Sequence, residues 1–227
     1  MIRPRIGITT NYSDGKQTLD ARYIRAIEAA GGLPIIVPIF ETEEVATHFT
    51  DLLDGLVITG GPGITKGLIG SLPADLEPVD PVRTANDTLV YESMADRPVL
   101  GICYGMQFIN AQAGGTIYAD VHAQKSGALL HSAERGGTDH HVLFEPGSLL
   151  RQIMGAPEIL ANTYHIQAVV DTGPGLKAVG FGPDGVIEAI ESNDGRLMGV
   201  QFHPERMGET TQPLFKAFID RCRRPGT

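Results

Sequence analysis

VLGICYGMQFINAQAGG, residues 99–115, runs from an apolar strand straight into an apolar-periodic helix, with Cys103 at the switch. A chain that turns from strand to helix within one or two residues brings neighbouring backbone very close, so small residues are needed on both sides of the turn. Gly101 and Gly105 hold those places. Such a turn lifts the sulfur clear of the sheet and sets it near the free N–H groups of the new helix, which favour negative charge. With a cationic neighbour, a thiolate at neutral pH follows. Taken alone, the segment also fits an inert core cysteine. Its place beyond the carboxyl end of a strand, where open α/β sheets bind ligands, favours the reactive reading. Cys222, on a terminal helix without glycines around it, reads as packing or incidental surface.

Working outward, residues 5–9 predict a strand and 18–30 a helix, with Tyr23, Ile24, Ile27 and Ala30 near a 3.6-residue period. A strand at 33–39, a helix capped by Thr42 and a strand at 55–59 follow. This alternation predicts an α/β fold, a flavodoxin-like mostly parallel sheet flanked by helices. Residues 60–82 form a long punctuated connection, 86–94 a helix, 98–102 a strand and 104–113 a helix. After residue 115 the strand-like pieces are short and separated by Gly, Pro, Asn or Asp, which predicts a small antiparallel addition in the second half. No repeat or clean linker divides the chain, so residues 1–227 are expected to form a single domain.

With 227 residues, the chain buries about 70% of its extended surface and supports a substantial core. The net charge of −9, with no long basic stripe, excludes a nucleic-acid platform and an anionic-membrane surface. The N-terminal MIRPRIGITTNYSDGK has no signal-like apolar run and no window is apolar enough to span a bilayer, so a cytoplasmic protein is expected. Two cysteines in a chain of this size fit a reducing compartment.

A nucleophile needs a base, and the base an orienting group. GVQFHPE (199–205) ends another strand with His203 and Glu205, which project to one side of an extended chain across Pro204. His203 would take the thiol proton, and Glu205 would fix its tautomer and support its charge. Alone, the same residues fit a surface turn. Acyl transfer also needs oxyanion donors: Gly61, after the strand 55–59, and Tyr104, after the nucleophile, offer backbone N–H groups. The glycine string 60–63 matches neither GxGxxG nor GxxxxGK[ST], which excludes a nucleotide-binding assignment.

Taken together, DGLVITGG (54–61), GICYGMQFINAQAGGTIYAD (101–120), YHIQAV (164–169) and GVQFHPE resemble the class I glutamine amidotransferase-like superfamily, nearest its gamma-glutamyl-gamma-aminobutyrate hydrolase-like branch. The resemblance implies a Cys103/His203/Glu205 triad, attack on a gamma-glutamyl amide, a thioester intermediate and release of an amine, with no cofactor. It also implies substrate contacts from Gln107, one helical turn beyond Cys103, and from His165 and Gln167 on the substrate side of the cleft. Tyr104 stands where the branch often has Arg, and no acidic residue follows the paired glycines. Both departures bear on the released amine. His140 and His141 are adjacent and face opposite ways, and His122 and His131 sit apart in loops, so no metal is expected.

The expected partner is therefore a small gamma-glutamyl substrate, and the family-level expectation adds a homodimer. A glutaminase subunit feeding ammonia to a separate synthetase, a nonenzymatic metabolite-binding protein and an esterase or cysteine protease on another elbow fold are the competing readings.

Overall fold

The computed structural model describes residues 2–223. Five parallel strands carry the site: β1 (Arg5–Ile8), β2 (Leu33–Ile36), β3 (Gly55–Ile58), β4 (Val99–Ile102) and β5 (Leu197–Val200). They lie side by side in the order β2-β1-β3-β4-β5, the flavodoxin-like order. Every residue of β3, β4 and β5 is buried, as strands covered by packing on both faces must be. The register sets Ile58 beside Gly101, and Gly101 beside Gly199. The carboxyl ends of β3, β4 and β5 therefore meet at one edge.

Helices α1 (Ala21–Ala29), α2 (Glu43–Thr50), α3 (Pro81–Ser93) and α4 (Tyr104–Gln112) follow β1 through β4 in turn. One apolar cluster joins Ile6, Ile8 and Leu100 to Phe218 and Ile219 of the closing helix Gln212–Arg221; another joins Leu56 and Ile58 to Met106 and Ile109 of α4. Cys222 belongs to the first cluster and packs where a side chain on Gly55 would stand, in keeping with its reading as a packing residue.

The sheet is mixed, and its antiparallel part is more than a short edge meander. From β5 it continues through Ile187–Ser192, Leu176–Phe181, His140–Phe144 and Glu158–Ala161, all antiparallel. Ala168–Asp171 and Thr116–Tyr118 branch from this run, and Asn11–Ser13 pairs with Lys16–Thr18 in a separate two-stranded hairpin. The strand Glu158–Ala161 and the helix Leu149–Met154 are not among the elements expected from the sequence. Helix α3 begins five residues before the expected residue 86: Asp80 caps it by accepting from Val82 N at 2.8 Å, and Pro81 occupies the first turn. Among the described residues, no helix is long and apolar enough to cross a membrane.

Candidate active site

Cys103 caps α4 with φ 53° and ψ −105°, one of two non-glycine residues with positive φ among those described. Such a backbone costs on the order of 1–3 kcal/mol and has to be imposed by its surroundings. The flanking glycines make it feasible. A Cβ on Gly101 would come 2.5 Å from the Gly105 backbone, and one on Gly105 would overlap the Ile58 carbonyl of β3. The Cys103 amide donates to Val200 O at 2.8 Å, tying the turn to β5. Its side chain meets polar groups, with Gln201 Nε2 donating to the sulfur at 3.5 Å.

His203 lies three residues past β5. Its Nδ1 is 2.7 Å from Glu205 Oε1, a bond that presents Nε2 as the ring's second functional atom. The imidazole interacts with the Cys103 sulfur. Burial disfavours the charged ring, but the negative charges of Cys103 and Glu205 outweigh it and raise the His203 pKa to about 10. Asn162 fixes the backbone beneath the ring: its Oδ1 accepts from His203 N at 2.8 Å, and its Nδ2 donates to His203 O at 2.9 Å. The half-exposed Tyr164 meets the imidazole edge-on at 5.8 Å and carries Arg206 over its own face at 5.0 Å. Asn162 carries no local signal in the sequence, where it is an isolated asparagine some forty residues before its partner.

The loop after β3 is held from below by Arg83, which is fully buried. Its guanidinium donates to Thr59 O at 3.0 Å, to Gly60 O at 3.2 Å, to Asn11 Oδ1 at 3.2 Å and to Asp87 Oδ2 at 3.2 Å. The ring of Tyr104 stacks 4.4 Å from this guanidinium. The aromatic body expected to alter the leaving-group side is therefore turned into the interior. Burial raises the Asp87 pKa to about 6 against the opposing pull of Arg83.

The carbonyl of Gly60 points at Arg83. In a trans peptide the C=O and the following N–H point in opposite directions, so the Gly61 N–H points away from the guanidinium. Neither it nor the Tyr104 N–H has a protein acceptor among the described residues. On the other side of the loop, Gly60 N donates to the Tyr23 hydroxyl at 3.0 Å, and a Cβ on Gly60 would come 2.7 Å from His203 Cε1. Burial, with the nearby Glu205 charge, raises the Tyr23 pKa well above its usual value.

Gln107, His165 and Gln167 are buried and bonded internally. Gln107 Nε2 donates to Gln167 O at 3.0 Å and to Gln201 Oε1 at 3.1 Å. Gln167 clamps Ile64 at both N–H and C=O, and His165 Nδ1 lies 2.9 Å from Gln167 O. The second polar atom of His165 faces Glu188, not the cleft. The expectation of no metal rested on histidines scattered in sequence. The fold corrects its premise, because His131, His140 and Glu188 are brought together, with His165 beside them.

The match to a family model and to curated relatives places the chain in the class I glutamine amidotransferase-like superfamily, and the sheet order and the turn at Cys103 agree with it. Within it, the chain belongs to the peptidase C26 family, whose model matches residues 4–205. It is similar to protein NtpR of Enterococcus hirae, with 34% identity over 87% of this chain and 86% of that protein. Gamma-glutamyl-gamma-aminobutyrate hydrolase PuuD of Escherichia coli is 28% identical over 91% of this chain and 87% of its own length. The higher identity to NtpR means that the branch expected from the sequence is not specifically favoured. A putative GMP synthase subunit from Thermoplasma acidophilum superposes with a TM-score of 0.68 at 20% identity, covering 98% of this chain and 95% of that one, a likeness of fold.

Proposed function

We propose that the chain is a cysteine-dependent amidohydrolase that cleaves a small gamma-glutamyl amide or short gamma-glutamyl peptide. The observation carrying this reading is the His203 ring, held by the Glu205 carboxylate at 2.7 Å and interacting with the Cys103 sulfur. In the proposed reaction the sulfur of Cys103 attacks the amide carbon as its thiolate, with the proton on His203. The N–H groups of Gly61 and Tyr104 receive the oxyanion, and each such donor is worth about 3 kcal/mol at the transition state. His203 then protonates the leaving nitrogen, the amine departs and a thioester remains. Water deprotonated by His203 hydrolyses it, releasing the acid and returning the thiol. Glu205 keeps Nδ1 protonated throughout.

Gln107, Gln167 and His165 enter this scheme as supports: through Gln201 they connect the sulfur to the loop at Ile64. The gamma-glutamyl specificity draws on the name of the PuuD relative. The test is amine release from glutamine, gamma-glutamyl-gamma-aminobutyrate and gamma-glutamyl peptides, with intact-mass detection of the acyl adduct. Turnover of at least one compound, with an adduct on Cys103, is expected. Turnover unchanged in Cys103→Ser would overturn the mechanism, and failure of every gamma-glutamyl compound would overturn the substrate class.

A further inference from the structure

On the far side of Gln167 from the sulfur, three imidazoles surround one carboxylate. His131 lies in the connection before the strand His140–Phe144, His140 opens that strand, His165 precedes Ala168–Asp171, and Glu188 lies on Ile187–Ser192. All four residues are more than nine-tenths buried. Glu188 Oε1 is 3.2 Å from His131 Nδ1, 3.3 Å from His140 Nε2 and 3.3 Å from His165 Nε2.

The outer atoms of two rings decide what the inner ones can do. His131 Nε2 is 2.8 Å from Asp184 Oδ2, and His165 Nδ1 is 2.9 Å from the Gln167 carbonyl. Both outer partners are acceptors, so each outer nitrogen carries the hydrogen. In a neutral ring the inner nitrogen is then a lone pair. His131 Nδ1 and His165 Nε2 are the ring atoms turned toward the same carboxylate oxygen, and neither has a well-directed hydrogen-bond partner among the described residues. Burial disfavours a charged ring, but Asp184 and Glu188 outweigh it and raise the His131 pKa to about 9, so the proton on its inner nitrogen is what a bound cation would displace.

We propose that His131 Nδ1, His140 Nε2 and the Glu188 carboxylate form a binding site for one divalent cation of the zinc class, with His165 Nε2 completing a four-coordinate set. The donor atoms of the first three already lie within 4.8 Å of one another. Two imidazoles and a carboxylate, with a third imidazole at hand, suit zinc and its first-row neighbours rather than magnesium or calcium, which take oxygen ligands. Bonds of about 2.0–2.2 Å require the Glu188 carboxylate to swing aside and the rings to close on the ion. Asp184 and the Gln167 carbonyl already occupy the outer positions that orient ligating histidines, and Asp184 is itself held by Leu129 N at 2.8 Å and Val186 N at 3.1 Å. The role is structural: the ion would tie two antiparallel strands to the segment carrying Asn162 and Tyr164 against His203.

The full chain, stripped with a chelator and dialysed free of it, is titrated with Co²⁺ and separately with Zn²⁺. Roughly one ion per chain is expected, with the visible ligand-field bands of four-coordinate cobalt, displacement of cobalt by zinc and a higher melting temperature. Glu188→Gln and His131→Asn are expected to abolish the bands, whereas His141→Ala, on the exposed face of the same strand, leaves them intact. The wild-type titration decides the matter if a variant fails to fold. Absence of stoichiometric uptake or of cobalt bands in the wild type would overturn the proposal, leaving the rings held by protons shared with the two carboxylates. Equal loss in His141→Ala and Glu188→Gln would also overturn it.

Discussion

Arg83→Met tests the support of the loop after β3. The substitution removes the guanidinium from Asp87 and from the carbonyls of Thr59 and Gly60, all within 3.2 Å of it. An unpaired buried carboxylate costs about 3–5 kcal/mol, and each stranded carbonyl adds about 1 kcal/mol or more. The expected loss at pH 7.5 is about 5 kcal/mol, comparable to the whole stability of a weak domain. Arg83→Met combined with Asp87→Leu removes the charge as well, and is expected to recover about 3 kcal/mol, leaving the carbonyl deficit. Urea denaturation of both variants measures these differences.

The pH dependence provides an internal control. Burial raises the folded-state pKa of Asp87 to about 6, above its usual value, so its contribution is most favourable at acid pH and is lost as the pH rises through 6. Removing Arg83 takes away the group that opposes this rise, so the deficit of the single variant should shrink between pH 7.5 and 5.5, while that of the double variant grows slightly because only the wild type gains from protonating Asp87. Both variants free the Gly60 carbonyl, and both are expected to lose turnover about 100-fold, even where stability returns. A single-variant deficit below about 1 kcal/mol, or deficits equal in the two variants at both pH values, would refute the reasoning.

Cys103→Ser should keep the fold, because the side chains are similar in size and the φ of 53° is imposed by the surroundings, while turnover falls about 1,000-fold or more; circular dichroism and amine release measure the two. Gly60→Ala places a methyl 2.7 Å from His203 Cε1, and is expected to lower kcat more than it raises KM by displacing the imidazole. With the His203 pKa raised to about 10, the stability it contributes is complete below about 6.5 and is lost as the pH rises through 10. Denaturation midpoints of wild type and His203→Gln should therefore converge between pH 7 and 10. In Cys103→Ser the largest cause raising that pKa is gone, and an NMR titration should find His203 releasing its proton at lower pH.

The parallel half of the fold was legible because each element carried its own local signal. β3 and β4 are short apolar runs, and the turn at Cys103 is marked by glycines whose missing side chains make room for backbone. His203 and Glu205 were legible as a pair two residues apart, although only the fold brings the imidazole within reach of Cys103. Arg83 was hidden because the Asp80–Pro81 start of its helix was absorbed into a long loop; a cap followed by proline was the signal available. Asn162 and the histidines around Glu188 were illegible for another reason. Their contacts depend on the pairing of antiparallel strands, and no spacing within one segment encodes which strand lies beside which.

The loop at Gly60 and Gly61 is a partition one peptide thick, with the imidazole of His203 on one side and the guanidinium of Arg83 on the other. An imidazole presses on one residue and a guanidinium on the next, so neither position has room for even a methyl group. The peptide's dipole is aligned from the buried side, where the guanidinium donates to the Gly60 carbonyl. Diversification by substitution is closed at this wall, and new specificity has to be built farther out, from residues that border the cleft without forming its partition.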